Sequence, residues 1–299
     1  MQIRAAKETD IPAIVDLLKL SLGESLMPKS ETFWRWKHID NPFGVSPVLL
    51  AFEDDQLIGV RAFMRWQWQQ GDQLFSALRA VDTATHPQHQ GKGIFKKLTM
   101  QLVEQCKAAG DHFIFNTPNQ QSLPGYLKMG WINQGKLPLQ LKWKIFPGLS
   151  KKESRQGDWE KLIDHRLLQL AASSSFIHTP LHHNYLCWRY RDNPQYTYEL
   201  LLEDDFILIY RIKKHKYFKE WRITELLGDT QKALDALYAA MGDSMGLISA
   251  SAAYPLRKSG FWKFKAGPSL STRNLNMTGY PEKLSFTNWQ PALGDMELF

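Results

Sequence analysis

The sequence predicts a mixed α+β (mixed α/β) chain built as two tandem copies of one domain, each a mostly antiparallel sheet flanked by helices. Three observations predict it. Short strand-like runs alternate with amphipathic helical runs through the first half. Two long segments of that half recur, in the same order, in the second half. A glycine-bearing loop inside Val81 to Leu98 joins a strand to a helix in the first copy only.

The elements follow in order. Gln2 to Ala6 reads as a first strand. Thr9 or Asp10 can cap the next helix, with Pro12 in its first turn. Ile14, Leu17, Leu18 and Leu22 recur at helical spacing, and Gly23 ends that helix. An aromatic and basic segment follows and must leave the helix by Asn41, before Pro42. Val48 to Phe52 and Leu57 to Trp68 read as a hairpin turned at Glu53 to Gln56. Leu74 to Thr85 is the strand that leads into the glycine loop. Ile94, Leu98, Leu102 and Val103 face one way on the helix after it, which Gly110 ends. A short strand (His112 to Asn116), a helix (Ser122 to Met129) and a last long strand (Leu137 to Phe146) complete the half.

The polar stretch after Pro147 marks a linker, so the division expected is 1–147, a linker over 148–157, and 158–299. Trp159 to Ala172 reads as a helix. The repeat then begins. Pro28, Phe33, Trp36, Lys37, Asp40, Asn41 and Pro42 match Pro180, Tyr185, Trp188, Arg189, Asp192, Asn193 and Pro194, each 152 positions on. The strands after them correspond too, VLLAFEDDQLIGVRAF to YELLLEDDFILIYRIK, as do GYLKMGW and PLRKSGFW. The second copy runs from Trp221 to Leu227 through Gly228-Asp229 straight into a helix, with no counterpart of the glycine loop.

Bulk properties narrow the function classes. The chain has 299 residues, 43% hydrophobic and 22% charged, as in soluble globular proteins. No apolar run reaches the roughly 20 residues that span a bilayer, and the N-terminus has no signal-peptide core. A membrane partner is therefore not expected. Two distant cysteines, Cys106 and Cys187, make no disulfide framework and fit a reducing, cytoplasmic setting. The net charge of +7 suits a polyanionic ligand and a solvated basic surface. Scattered Lys and Arg argue against nucleic acid. No histidine has metal-ligand spacing, so no metal is expected.

The loop itself suggests anion binding. At a helix N-terminus four backbone N–H groups lack partners and the helix dipole favours negative charge. Gly91 and Gly93 allow close approach to that backbone. The same pattern also fits an ordinary strand-turn-helix.

Two motifs carry a family resemblance. V-x-P-x-x-[RQ]-x-x-G-x-[GA] is matched by Thr85, Pro87, Gln90 and Gly93, with Thr85 in place of Val and Phe95 in place of the small residue. N-x-x-[AS]-x-x-x-Y-x-x-x-G-[FW] is matched throughout by Asn119, Ser122, Tyr126, Gly130 and Trp131. With these the chain resembles the GNAT superfamily of acyl-CoA-dependent N-acyltransferases, strongly over 1–146 and in topology beyond. The resemblance implies two tandem GNAT-like domains, the second degenerate. It implies acetyl-CoA, or another acyl-CoA, as co-substrate and a primary amine of a small molecule, amino sugar or peptide as acceptor.

It also implies roles. Backbone groups of Thr83, Ala84 and Thr85 would pair with the pantetheine amides. The amides of Gln90, Gly91, Lys92, Gly93, Ile94 and Phe95 would hold the pyrophosphate. Lys92, Lys96 or Lys97 would neutralise phosphates or simply solvate a helix face. Asn119 would touch the cofactor or fix the loop. Tyr126 would protonate the departing thiolate, because a phenol is a proton donor suited to that leaving group; the other reading is a core tyrosine. For the base, Asp82 and His86 flank the strand end. Asp82 can accept a proton, orient an ammonium, or make a structural hydrogen bond. An imidazole titrates near 6.5, so His86 can serve or stand as exposed polar surface. A non-catalytic acyl-CoA-binding protein and a tRNA-dependent aminoacyl transferase are the alternatives; the phosphate loop favours CoA over tRNA. The oligomeric state is not legible.

Overall fold

The computed structural model describes residues 1–23, 28–145, 157–163 and 175–296. The first half opens with β1 (Gln2–Ala5) and α1 (Ile11–Leu22), with Asp10 at the N-cap and Gly23 at the C-cap. Ile14, Val15, Leu17 and Leu18 are buried as their spacing requires, but Leu22 is 55% exposed and lines the cleft described below. Then come α2 (Glu31–His38), β2 (Val48–Glu53), β3 (Gln56–Gln70), β4 (Gln73–Thr85), α3 (Ile94–Ala108), β5 (Phe113–Asn116) and α4 (Leu123–Lys128). Ser30 caps α2 through a bond from Phe33 N–H, and the helix stops three residues short of Asn41.

The last strand expected, Leu137 to Phe146, is present as β7 (Leu139–Lys144), and a further strand that was not expected, β6 (Ile132–Lys136), precedes it. Pro138 interrupts them, since it has no N–H to continue a ladder. Of the helix expected over Trp159 to Ala172, a 3₁₀ turn at Trp159–Ile163 is described. The remainder of that helix and positions 148–156 of the linker lie outside the described residues.

The second half contains α5 (His183–Leu186), which continues as a π turn at Cys187–Arg191. It goes on with β8 (Glu199–Glu203), β9 (Phe206–Lys214), β10 (Lys219–Gly228), α6 (Thr230–Met241) and β11 (Gly246–Ser251). β12 (Trp262–Phe264), β13 (Ser269–Asn274) and a short terminal helix, α7 (Leu293–Met296), follow.

There are two mixed, mostly antiparallel sheets, ordered β1-β2-β3-β4-β5-β13-β6 and β12-β7-β11-β10-β9-β8. Each half gives its last strand to the other half's sheet. β13 lies antiparallel between β5 and β6, and β7 lies antiparallel between β11 and β12. The chain crosses at two X-Pro steps, where Leu137 N–H donates to Pro268 O and Gly267 N–H to Leu137 O, both at 3.0 Å. Gly267 is required there, because a Cβ would stand 2.5 Å from Leu137 O.

The repeated tryptophans form the pseudo-two-fold centre. Trp36 and Trp188 stack with centroids 4.8 Å apart. Each indole N–H donates to the other's backbone carbonyl, at 2.8 and 2.7 Å. The repeat extends to the caps, since His182 Nδ1 accepts from Tyr185 N–H as Ser30 does from Phe33 N–H. One aromatic core, including Trp66, Trp68, Phe115, Tyr185, Trp188 and Trp289, spans both halves. Either Trp36→Ala or Trp188→Ala should cost about 3–5 kcal/mol of stability. The double variant should cost less than the sum, because the two share one contact. Urea unfolding measures both.

Candidate active site

The site begins with a bulge in β4. Thr83 pairs with Arg61 and Val81 with Ala62, so Asp82 is the extra residue, at φ +40°. On its other side β4 pairs in parallel with β5 only from Ala77 to Arg79. Beyond Arg79 the two strands separate. The split leaves the backbone of Ala80 to Thr85 without a strand partner on the β5 side among the described residues.

The glycine loop stands at the open end of the split. Gly91 and Gly93 both have φ +77°, and Gly93 is the N-cap of α3 with no side chain to cap it. α3 is drawn close to the sheet at Gly59, where a Cβ would lie 2.7 Å from Ile94 Cγ2. A cavity of about 490 Å³ is lined by Thr83 to Thr85, Gln90, Gly91 and Gly93 to Phe95, with Ser21 and Leu22 opposite. Ser21 Oγ donates to Thr85 O at 3.2 Å. The cofactor residues expected from the sequence thus converge, apart from Lys92 and Asn119. Lys92 sits at the rim near Glu53 (3.8 Å) and His89 (3.3 Å). Asn119 Oδ1 accepts from the N–H groups of Gln121 and Ser122 and so fixes the turn into α4.

The second copy meets the same helix-end problem differently. Asp229 caps α6, its carboxylate accepting from Gln231 and Lys232 N–H at 2.9 and 3.0 Å. There the protein supplies its own anion. At α3 Gly93 has no side chain to take that place. Leu256 occupies the place in the second copy that Tyr126 holds in the first, and it is buried in the apolar core around α6.

Tyr126 is buried on α4, its ring edge-on to Phe95 (5.8 Å) and tilted against Trp131 (5.2 Å). Its hydroxyl accepts from Arg61 Nη2 at 2.9 Å. Phe95, where the family motif has a small residue, fills the space between α3 and Gly125.

Asp82 accepts from Lys37 Nζ and, at 2.9 Å, from His38 Nε2. His38 Nδ1 is bonded to Ser46 Oγ at 2.8 Å. Burial alone would raise the Asp82 carboxyl, but Lys37 and His38 outweigh it and hold it well below the ordinary range. A carboxylate held so low is a weak base at neutral pH. The arrangement matches its structural reading, an anchor of the bulge. His86 lies at the strand end, where Nδ1 accepts from Gln88 N–H and Nε2 meets Gln56 Nε2 at 3.3 Å. No hydrogen bond joins it to Asp82 or Tyr126 among the described residues. No group of His, Cys, Asp and Glu able to hold a metal occurs among the described residues.

Sequence reasoning missed Lys37, His38, Arg61 and Arg79 as site residues. The signal for Arg61 was a charge inside the apolar run from Leu57 to Met64. Arg79, at the last β4–β5 pair, donates to the carbonyls of Asp295 and Met296 and to Thr117 Oγ1. The C-terminal turn is thereby fastened at the root of the split. Gly294 admits that turn, since a Cβ there would stand 1.8 Å from Tyr190 Oη.

Burial raises the carboxyls of Glu225 and Asp295 beside this turn, and the charge of Asp295 pushes Glu225 up further. The folded state therefore holds protons that the unfolded state has released. That stability is complete below the unfolded carboxyl pKa and is lost as pH rises through the raised folded values. The Tm should fall as pH rises from about 5 to 8, and Glu225→Gln should flatten the fall in a calorimetric series. At the acid end the opposite sign applies, because Asp82 is held low and its contribution disappears as pH drops.

With this geometry, comparison with known proteins is informative. Residues 2–132 match the family described as "Acetyltransferase (GNAT) domain". The first half of the chain thus carries a GNAT acetyltransferase domain. L-amino acid N-acyltransferase MnaT of Escherichia coli is 25% identical over 147 residues, 46% of this chain and 83% of that protein. Two solved structures share the whole fold. A probable N-acyltransferase of unknown function from Enterococcus faecalis superposes with TM-score 0.68 at 13% identity, over 94% of this chain and 74% of that one. A GCN5-related N-acetyltransferase from Kribbella flavida gives 0.64 at 13%, over 92% and 72%. No helix among the described residues is long and apolar enough to cross a membrane.

Proposed function

We propose that this protein transfers an acetyl group from acetyl-CoA to a primary amine, with Tyr126 as general acid. In this reading residues 1–147 carry the chemistry, and 158–299 form a copy without a phosphate site that completes the first sheet with β13. The observation that carries it is the contrast between the two helix ends: Gly93 leaves the α3 amides open, whereas Asp229 closes those of α6. The pyrophosphate would lie on the amides of Gln90 to Phe95, and the pantetheine along the unpaired edge of Thr83 to Thr85. The thioester would then reach the closed end of the split, near Tyr126. Amine attack breaks the C–S bond, and the phenol protonates the leaving sulfur. Asp82 holds the bulge through Lys37 and His38, and the amine proton leaves to solvent or to His86.

The resemblance to an L-amino acid N-acyltransferase makes free L-amino acids the first acceptors to try, followed by amino sugars and short peptides. Thiol release from acetyl-CoA, followed colorimetrically over that panel, tests the reading. Amine-dependent release is expected with at least one class. Binding of acetyl-CoA without release on any amine would favour a non-catalytic CoA-binding role.

A further inference from the structure

Arg61 is fully buried, yet no carboxylate pairs with it among the described residues. Its guanidinium lies against the rings of Phe63, Phe95 and Tyr126, at 4.8, 5.5 and 5.5 Å. Nη2 donates to Tyr126 Oη at 2.9 Å, while Nε and Nη1 have no partner. A buried cation without a counter-charge is costly. The phenol oxygen is the acceptor that this one has. A guanidinium carries no lone pair to receive a hydrogen bond. The Tyr126 hydrogen must therefore point away from Arg61. In the second copy the matching strand residue, Arg211, lies over the ring of Tyr196 at 4.1 Å, and no tyrosine matches Tyr126. The second copy thus has Leu256 where the first has Tyr126, and the hydrogen bond from Arg61 to a phenol on α4 has no counterpart at that position.

We propose that Arg61 is a positioning residue for the Tyr126 acid, fixing the phenol oxygen, turning its hydrogen to the leaving sulfur, and serving as counter-charge to the phenolate. The inference rests on the reading of Tyr126 as the acid. In the step, the amine nitrogen bonds to the acyl carbon and the C–S electron pair goes to sulfur. Sulfur takes the phenol proton, and the phenolate forms beside the guanidinium, where a hydrogen-bonded ion pair replaces a hydrogen bond from a cation to a neutral phenol. The phenolate regains a proton from solvent, matching the one released by the amine.

The test measures kcat and KM for acetyl-CoA in Arg61→Met and Arg61→Lys, each in wild-type and Tyr126→Phe backgrounds, with Tm and calorimetric CoA binding. Arg61→Met should lower kcat by about 30-fold or more and leave KM within about threefold. Arg61→Lys, which keeps the charge and loses the fork, should recover a large part of kcat. In the Tyr126→Phe background neither substitution should lower kcat further. Equal losses in both backgrounds, or a wild-type kcat in Arg61→Met, would overturn the proposal while leaving the acid assignment intact. Full activity of Tyr126→Phe alone would remove the acid reading and this inference with it. Should Arg61→Met not fold, the Arg61→Lys pair decides by the same comparison: a loss confined to the wild-type background supports the proposal, and equal losses overturn it.

Discussion

Gly93→Asp is expected to abolish binding of acetyl-CoA while leaving the fold intact. The prediction follows from a comparison inside the molecule. α6 begins at Asp229, whose carboxylate occupies its first free amides. α3 begins at Gly93, which has no side chain to do so. An aspartate at Gly93 would bring a carboxylate to the first helix end, on a left-handed backbone (φ +77°) where Asp229 has an extended one. Aspartate adopts that region at less cost than most residues. The thermal midpoint should therefore fall only slightly. The ligand phosphates, however, would meet a fixed carboxylate where the open amides were. Each hydrogen bond to a charged group contributes about 1.5–3 kcal/mol, so losing two weakens binding by about 100-fold or more. Like-charge repulsion adds to this. Calorimetric titration against wild type checks it, with Gly93→Ala separating the effect of the charge from that of an added Cβ.

Tyr126→Phe is expected to lower kcat by about 10²–10³-fold with little change in acetyl-CoA affinity. The ring packs between Phe95 and Trp131, and phenylalanine keeps those contacts. What is lost is the hydroxyl that accepts from Arg61. The variant thus tests chemistry rather than packing. Steady-state kinetics at saturating amine should show the loss in kcat, with KM for acetyl-CoA nearly constant. An unchanged kcat would return Tyr126 to the core.

The sequence carried the local parts of this picture well. Gly91 and Gly93 marked the cradle because positive φ at a strand-to-helix junction demands glycine. The spacing from Asn119 to Trp131 placed Tyr126 on a helix next to it. The offset of 152 positions marked Trp36 and Trp188 as equivalent, though not that they would stack and each bond the other's backbone. The exchange of β7 and β13 was not legible. Both strands alternate as any outer strand does, and which sheet they join depends on the crossing of Leu137-Pro138 with Gly267-Pro268, a contact between distant segments. The same holds for Asp82. Its place beside the cradle was readable, but its partners Lys37 and His38 come from α2, more than forty positions earlier. Their hydrogen bonds accord with the structural reading of Asp82 rather than with the reading as a base. Arg61 broke the apolar pattern of β3, and only the packing of α4 over that strand gives the break a purpose.

In the reading proposed above, one copy of the duplicated domain binds acyl-CoA and the other does not. Isothermal titration of acetyl-CoA into the full chain tests it most directly. The account predicts one site per chain, lost in Gly93→Asp and retained in Tyr126→Phe. Two sites per chain, no site at all, or a site that survives Gly93→Asp would contradict it.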